Sequence, residues 1–167
     1  MAQNFKCIDP SLIGAQKINE ASSTQNHPLG RRIKIHDDTD GPGEAIYLQG
    51  KTNTVIGSWV FMDMDNYSTT LTDATSGTAN GPIAVALSAC DANTKYGWYG
   101  IYGKIEAQMA ASFADDGKVY MTTTPGVADD AAVANCRING AKGAETIVGA
   151  GLAECQLSYP YCDADTD

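Results

Sequence analysis

The chain has little positive charge, few histidines and no long apolar run. Of its 167 residues, 11 are Lys or Arg and 20 are Asp or Glu, which leaves a formal net charge of −9. Phosphate groups demand a basic surface, so this composition argues against nucleic acid as a partner of the folded body. Because no stretch approaches the roughly 20 apolar residues of a spanning helix, we expect no membrane partner either.

Motifs for catalysis and metal binding are also missing. The sequence contains no G-x-S-x-G, no Walker spacing and no Cys at zinc-finger spacing, and neither His27 nor His36 stands in a recognisable triad context. Glu106, Glu145 and Glu154 are candidates for catalytic carboxylates, although nothing in the sequence pairs them. We therefore predict no catalytic residues, no cofactor, no metal site and no enzymatic activity.

The cysteines are odd in number and irregularly spaced: Cys7, Cys90, Cys136, Cys155 and Cys162. The opening residues lack the apolar core of a secretory signal. These features predict synthesis in a reducing cytoplasm, with mostly buried free thiols. A pair between Cys155 and Cys162 across the last strand stays open.

Charge divides the chain into two parts of opposite character. Up to His36 there are five basic and two acidic side chains, whereas the remainder holds six basic and eighteen acidic ones. A basic arm ahead of an acidic body predicts a segment that grips a neighbouring protein. We therefore divide the chain into an arm at 1–43, a body at 44–162 and an acidic tail at 163–167.

The arm has weak signals for secondary structure. Asp9 and Pro10 can serve as the N-cap and first residue of a short helix over 10–20. Residues 22–30 are predicted to run extended, with His27 as an ordinary arm residue.

Short strand signals fill the rest of the chain, separated by turns rich in Gly, Asn and Asp. Such spacing is typical of an all-β barrel or sandwich, here of about 8–10 short strands around a core rich in small residues. Gly97, Gly100 and Gly103 recur every third residue inside one aromatic run, which predicts a bulge or sharp bend rather than a ligand platform. The predicted strands are 31–36, 44–50, 55–62, 68–72, 82–89, 96–109, 117–124, 133–138 and 146–158.

A resemblance to a known group of proteins runs from about Leu29 to Pro160. It is carried by PLGRRIKIHD, GEAIYLQGKTNTVIGSWV, GPIAVALSACDANTKYGWYGIYGKIEA, FADDGKVYMTTTPGVADDAAVANCRINGAKGA and GLAECQLSYPY. This text resembles the small capsid decoration, or cement, proteins of tailed bacteriophages. The resemblance implies a compact β-barrel-like body, often trimeric, seated outside the capsid shell and fastened with the help of an N-terminal arm.

The resemblance and the charge pattern together name candidate site residues. We expect seven arm residues to bind the capsid: Phe5, Leu12, Ile13, Leu29, Arg31, Arg32 and Lys34. Four aromatic residues are predicted to form core or a subunit interface: Trp59, Trp98, Tyr99 and Tyr102. Alternation along a strand predicts that Trp98 and Tyr102 share one face and that Tyr99 lies on the other.

The expected partners are the major capsid protein and further copies of the chain, as a homotrimer. The expected location is the outer surface of the virion, after synthesis in the host bacterial cytoplasm. Two alternatives stay open: another minor head component, or a virion-surface module that recognises the host or a glycan. The second is motivated by the aromatic strand around Trp98.

Overall fold

Eleven β-strands account for nearly all regular structure in the computed structural model, which describes residues 3, 5–8, 16–76 and 80–163. The strands are β1 (Lys6–Cys7), β2 (Arg32–Asp37), β3 (Gly41–Gln49), β4 (Trp59–Met62), β5 (Thr69–Leu71), β6 (Gly81–Ala86), β7 (Tyr96–Met109), β8 (Lys118–Met121), β9 (Ala128–Asp129), β10 (Arg137–Gly143) and β11 (Gly151–Cys162). The predicted all-β class is confirmed. Two strands, β1 and β9, have only two residues each, too few for a sequence pattern to reveal.

One sheet contains all these strands and curls into a barrel-like body. Its order is β1-β2-β3-β7-β9-β8-β10-β11-β6-β4-β5, and extra pairings of β7 with β11 and with β6 close it on itself. The long strand β7 is central, because its first half pairs with β3 and β6 and its second half with β11.

Both faces of β3 are buried from Ala45 to Leu48, and the two faces pack in different clusters. Ala45 and Tyr47 face the larger core cluster, while Ile46 and Leu48 face a second, smaller one. The core does contain many alanines, as expected, but large aromatic side chains also fill it: Trp59, Trp98, Tyr47, Tyr99 and Phe113 are fully buried.

A bulge in β7 changes which face its side chains occupy. Glu44 pairs with Tyr102 and Ala45 pairs with Gly100, so Ile101 is an extra residue on β7. Gly103 follows with φ +101°, and a Cβ there would lie 2.6 Å from the carbonyl oxygen of Pro42. The predicted bulge in the glycine-rich strand is therefore present.

The proposed boundary at residue 43 needs correction. β3 begins at Gly41, and β2 pairs with it along its whole length. Ile33 and Ile35 on β2 are buried in the main core. The later part of the predicted arm is therefore part of the body, because its period-two pattern supplies a core-facing strand.

Other local expectations also change or fall outside the description. Residues 16–20 contain a turn rather than the end of a helix, while 10–15 lie outside the described residues, as do 164–167 of the predicted tail. The strand predicted at 133–138 begins later, at Arg137. It continues to Gly143, through residues that the sequence predicts as a turn. Gly140 adopts a left-handed conformation, with φ +73°, and this conformation allows β10 to continue through the segment.

Burial of the cysteines follows the prediction for four of them: Cys90, Cys136, Cys155 and Cys162 are buried, whereas Cys7 is exposed. Burial raises the pKa of Cys155 to about 12 and that of Cys162 to about 11. Cys155 and Cys162 lie seven residues apart on β11, about 23 Å at ~3.3 Å per residue of extended strand, which is too far for a disulfide between them within one chain.

Candidate functional site on the outer face of β2, β3, β7 and β11

Two exposed tyrosines form an aromatic pair on the outside of the sheet. The ring centroids of Tyr102 on β7 and Tyr159 on β11 are 5.5 Å apart. Their side chains are 41% and 48% exposed, respectively. The Tyr159 hydroxyl donates a hydrogen bond of 2.9 Å to Oε2 of Glu44 on β3. The pair is thus held in a defined position while its rings stay open to solvent.

Tyr159 owes its position to an irregularity in β11. Asn139 pairs with Tyr161 and Ala141 pairs with Leu157, so three residues of β11 lie opposite the single residue Gly140 of β10. Tyr159 sits in the middle of this bulge with φ +50°, a left-handed conformation that costs a non-glycine residue about 1–2 kcal/mol. Bulges re-aim side chains, and this one turns Tyr159 outward.

The bulge at Ile101 has the same effect on Tyr102. Without it, Tyr102 would continue the alternation that places Trp98 in the main core. With it, Tyr102 pairs with Glu44 and points to solvent. The prediction that Trp98 and Tyr102 share one face is therefore wrong, because the extra residue shifts the pleat by one position. Tyr99 does lie on the face opposite Trp98, in the second cluster.

Basic side chains lie beside the tyrosines. Arg32 and Lys34 alternate with buried isoleucines on β2 and are exposed. Lys34 lies directly opposite Glu44 in the β2–β3 register, so both share the outer face with Tyr102. We call this set, Arg32, Lys34, Glu44, Tyr102 and Tyr159, the tyrosine face.

Electrostatics at the tyrosine face follow from these contacts. The pKa of Tyr159 is raised, first by its hydrogen bond to Glu44 and then by desolvation and the charge of that carboxylate. Arg32 acts in the opposite direction and lowers it, since its positive charge favours the phenolate. The face therefore offers two aromatic rings, a carboxylate and two cations within one patch.

Other predicted arm residues lie elsewhere. Phe5 is half-buried and lines a groove of about 170 Å³ together with Ile18 and Leu152. Leu29 is half-buried against the main core, and the carbonyl oxygen of Arg31 accepts a hydrogen bond from the backbone N–H of Tyr47. Leu12 and Ile13 lie outside the described residues. Of the predicted arm residues that the structure describes, only Arg32 and Lys34 lie beside the tyrosines.

Three of the four predicted interface aromatics are core residues. Trp59 and Tyr99 have no exposed surface and Trp98 is 1% exposed. They cannot contact another subunit in this fold, because the sheet covers both faces of the strands that carry them. Tyr102 alone keeps the surface position that an interface requires.

Sequence reasoning missed Tyr159 and Glu44. Neither stands in a motif, and they are separated by 115 residues. The available signal was Tyr159-Pro160 near the end of a predicted strand, since a proline inside a strand marks an edge or a bulge. Glu106 and Glu154, left unpaired by the sequence, turn out to be direct cross-strand neighbours.

In the described part of the chain, no three His, Cys, Asp or Glu side chains are grouped to hold a metal ion. Among residues 16–76 and 80–163 and the short N-terminal pieces, no helix has the length and hydropathy needed to span a bilayer.

Comparison with known proteins adds no relative. No protein-family model, no curated protein and no solved structure matches the chain.

Proposed function

We propose that this chain is a structural protein of a bacteriophage virion, a capsid decoration protein that binds the major capsid protein on the outer surface of the head. In this proposal the tyrosine face makes the contact. The observation that carries it is the exposed Tyr102–Tyr159 pair, held by two bulges beside Arg32. Tyr and Arg are enriched at protein interfaces and often dominate their binding energy.

The geometry suits binding at low entropic cost. The two rings contact each other and Tyr159 is hydrogen-bonded to Glu44, so fewer rotamers are lost when a partner covers them. A protein that binds only the expanded shell stabilises it by linkage. Repetition over a lattice, together with the proposed trimerisation, increases the total effect of a modest contact.

The proposed homotrimer needs contacts other than Trp59, Trp98 and Tyr99, which are buried within one chain. Sedimentation velocity of the purified protein would give its oligomeric state directly. A monomer in solution would restrict trimerisation to the assembled capsid.

The first test is the copy number of this protein relative to the major capsid protein, measured by quantitative mass spectrometry of purified particles. A ratio near one is expected for a decoration protein on every lattice subunit. A handful of copies would instead favour the alternative of another minor head component. Absence from the particles would overturn the structural role.

The second test replaces the tyrosines. The double variant Tyr102→Ala with Tyr159→Ala should weaken binding to stripped capsids by about 30-fold or more, the roughly 2 kcal/mol expected of a binding hot spot. Tyr161→Ala is the matched control, because Tyr161 lies on the same strand and is also 48% exposed. Equal affinities of the double variant and the control would place the contact elsewhere.

Recognition of a glycan is the second candidate function, and the tyrosine face is also the feature that favours it. The original motivation, Trp98, is buried and offers no stacking surface. The Tyr102 and Tyr159 rings are exposed, with the Glu44 carboxylate between them and β2. Saturable glycan binding that Tyr102→Ala abolishes would support this function over attachment to the capsid.

A further inference from the structure

Residues 16–30, which we call the cap segment, lie across three aromatic residues of β3 and β7. Ser22 and Tyr96 exchange two backbone hydrogen bonds of 2.9 and 2.8 Å. Gly30 donates a hydrogen bond of 2.8 Å to the carbonyl oxygen of Tyr47. Ile18 is 5% exposed and belongs to the main core. The cap segment is therefore an ordered cover over one region of the barrel.

Gln16 ties the cap segment to the same aromatic residues. Its Oε1 accepts a hydrogen bond of 2.7 Å from the Tyr47 hydroxyl, and its Nε2 donates one of 2.8 Å to the carbonyl oxygen of Tyr96. Its backbone carbonyl oxygen accepts a hydrogen bond of 3.3 Å from Nε1 of Trp98. Every one of these partners is an uncharged group at neutral pH.

His27 fills the space between the cap segment and these rings. The side chain is 7% exposed, and its ring centroid lies 5.1 Å from that of Tyr47 and 5.1 Å from that of Trp98. Its Nε2 is buried and has no hydrogen-bond partner among the described residues. A proton on Nε2 therefore has no hydrogen-bond acceptor among the described residues.

Among the charged and titratable groups near His27, Arg31 opposes its protonation. Arg31, the residue that follows the cap segment, is positive, and Tyr47 is a neutral phenol. Lys17 and Glu20 pair with each other at 2.9 Å on the exposed side of the cap segment. Burial first and Arg31 second lower the pKa of His27 below its ordinary value of 6.5.

Attraction of an imidazolium to the rings is too weak to offset the cost of burying its charge. A cation near Tyr47 and Trp98 gains about 0.5–2 kcal/mol. Burying a charge without a hydrogen-bonded partner costs several kcal/mol. The imidazolium is therefore more stable in water than in this position.

We propose that the cap segment is an acid-sensitive catch, in which protonation of His27 releases residues 16–30 from Tyr47 and Trp98. The device goes beyond the proposed function and does not depend on it. It would couple the exposure of this part of the barrel to the acidity of the surroundings.

The direction of the effect follows from proton linkage. His27 has a lowered pKa in the closed state and the ordinary value of about 6.5 once released, so opening takes up a proton. Closure is fully favoured above pH ~6.5 and weakens below it, by up to tenfold in the opening constant per pH unit. The effect levels off below the lowered pKa, where both states are protonated.

Amide hydrogen exchange of the full chain tests the proposal. Protection factors of the Ser22 and Gly30 amides, corrected for intrinsic rates, should be constant between pH 8 and 7 and fall below pH ~6.5. His27→Phe, which keeps a ring in the position but cannot be protonated, should abolish that fall. His36→Gln is the control, since His36 on β2 is the second histidine of the chain, and it should leave the fall unchanged.

A constant protection factor in the wild-type chain, or the same fall in His27→Phe, would overturn the proposal. If His27→Phe does not fold, NMR titration of the two wild-type imidazoles decides. A His27 midpoint below 6.5 supports the catch, and one at or above 6.5 contradicts it.

Discussion

At the residue scale, Gly50 shows how closely two backbones approach in this fold. Its N–H donates a hydrogen bond of 2.8 Å to the carbonyl oxygen of Lys95, and the next N–H, of Lys51, donates one of 3.1 Å to that of Cys90. A Cβ on Gly50 would collide with the Cys90 carbonyl oxygen and lie 2.8 Å from that of Ala92. Backbone atoms cannot rotate away as a flexible side chain can, so a side chain at this position forces the loop to move.

Gly50→Ala should therefore lower the free energy of unfolding by about 1–3 kcal/mol, the usual cost of overpacking. For a chain of this size, each kcal/mol corresponds to about 2–4 °C in Tm. Gly149→Ala is the matched control, because nothing lies within 4 Å of a Cβ there. Thermal unfolding gives the Tm of both variants. Equal Tm values would show that the loop at 90–92 moves to accommodate the added methyl group at no cost in stability.

At the scale of elements, charged side chains tie β7, β11 and the β2–β3 turn together. Glu154 lies directly opposite Glu106, an unfavourable pairing of like charges. Burial raises the pKa of Glu106. Nζ of Lys104 lies 2.5 Å from Glu154 and 3.1 Å from Asp40, whose side chain is only 5% exposed. One lysine of β7 thus pairs with carboxylates from two other elements, β11 and the β2–β3 turn.

Lys104→Met should destabilise the protein by about 1–2 kcal/mol at pH 7, because a nearly buried carboxylate loses its cation while the pair is partly open to solvent. Its hydrogen bonds to Glu154 and Asp40 raise the pKa of Lys104 above 10.5. The stabilisation by Lys104 is therefore full below pH 10.5 and declines above it. The difference in unfolding free energy between the variant and the wild type should accordingly shrink above pH 10.5. Urea unfolding at pH 7 and pH 11 measures both effects.

Lys142→Met is the control for this experiment. Lys142 pairs with Asp116 at 2.6 Å, but the two side chains are 52% and 75% exposed. Such exposed pairs add little to stability. A loss in Lys142→Met equal to that in Lys104→Met would mean that the buried Asp40 carboxylate is irrelevant.

At the scale of the whole molecule, the N-terminal part of the chain has two different roles. β1 contributes two exposed residues paired to the edge of β2. β2 and the cap segment bury Ile18, Ile33 and Ile35 in the main core. A deletion from the N-terminus should therefore be tolerated if it ends before Ile18, and it should disrupt the fold once it removes the buried isoleucines.

Deletion of residues 1–8 should leave a folded, soluble protein, since among the described residues it removes β1, the backbone hydrogen bond from Ile8 to Lys34 and the contacts of Gln3 and Phe5. Deletion of 1–35 should abolish folding, because it removes most of β2 and leaves β3 as an unpaired edge. Circular dichroism and gel filtration distinguish the outcomes. A folded 36–167 fragment would show that β2 is dispensable and that the arm boundary near 43 has physical meaning after all.

Prediction from the sequence succeeded where a signal is local. β7 runs from Tyr96 to Met109, as the alternating aromatic pattern predicted, and its glycines do mark a bulge. His27 was read as an ordinary arm residue, although it is buried between two rings, because nothing nearby in the sequence shows that Tyr47 and Trp98 approach it. The proposed capsid partner and trimer stay predictions, tested by the experiments above.

The sequence by itself determined the all-β class, the approximate strand positions and the bend in β7, because period-two patterns and glycines act within a few residues. Only the tertiary structure decided that Trp59, Trp98 and Tyr99 are buried. It also decided that Lys34, Glu44, Tyr102 and Tyr159 meet on one face. The physical reason is register: a bulge in one strand moves every later side chain to the opposite face, and its position depends on a partner strand far along the chain.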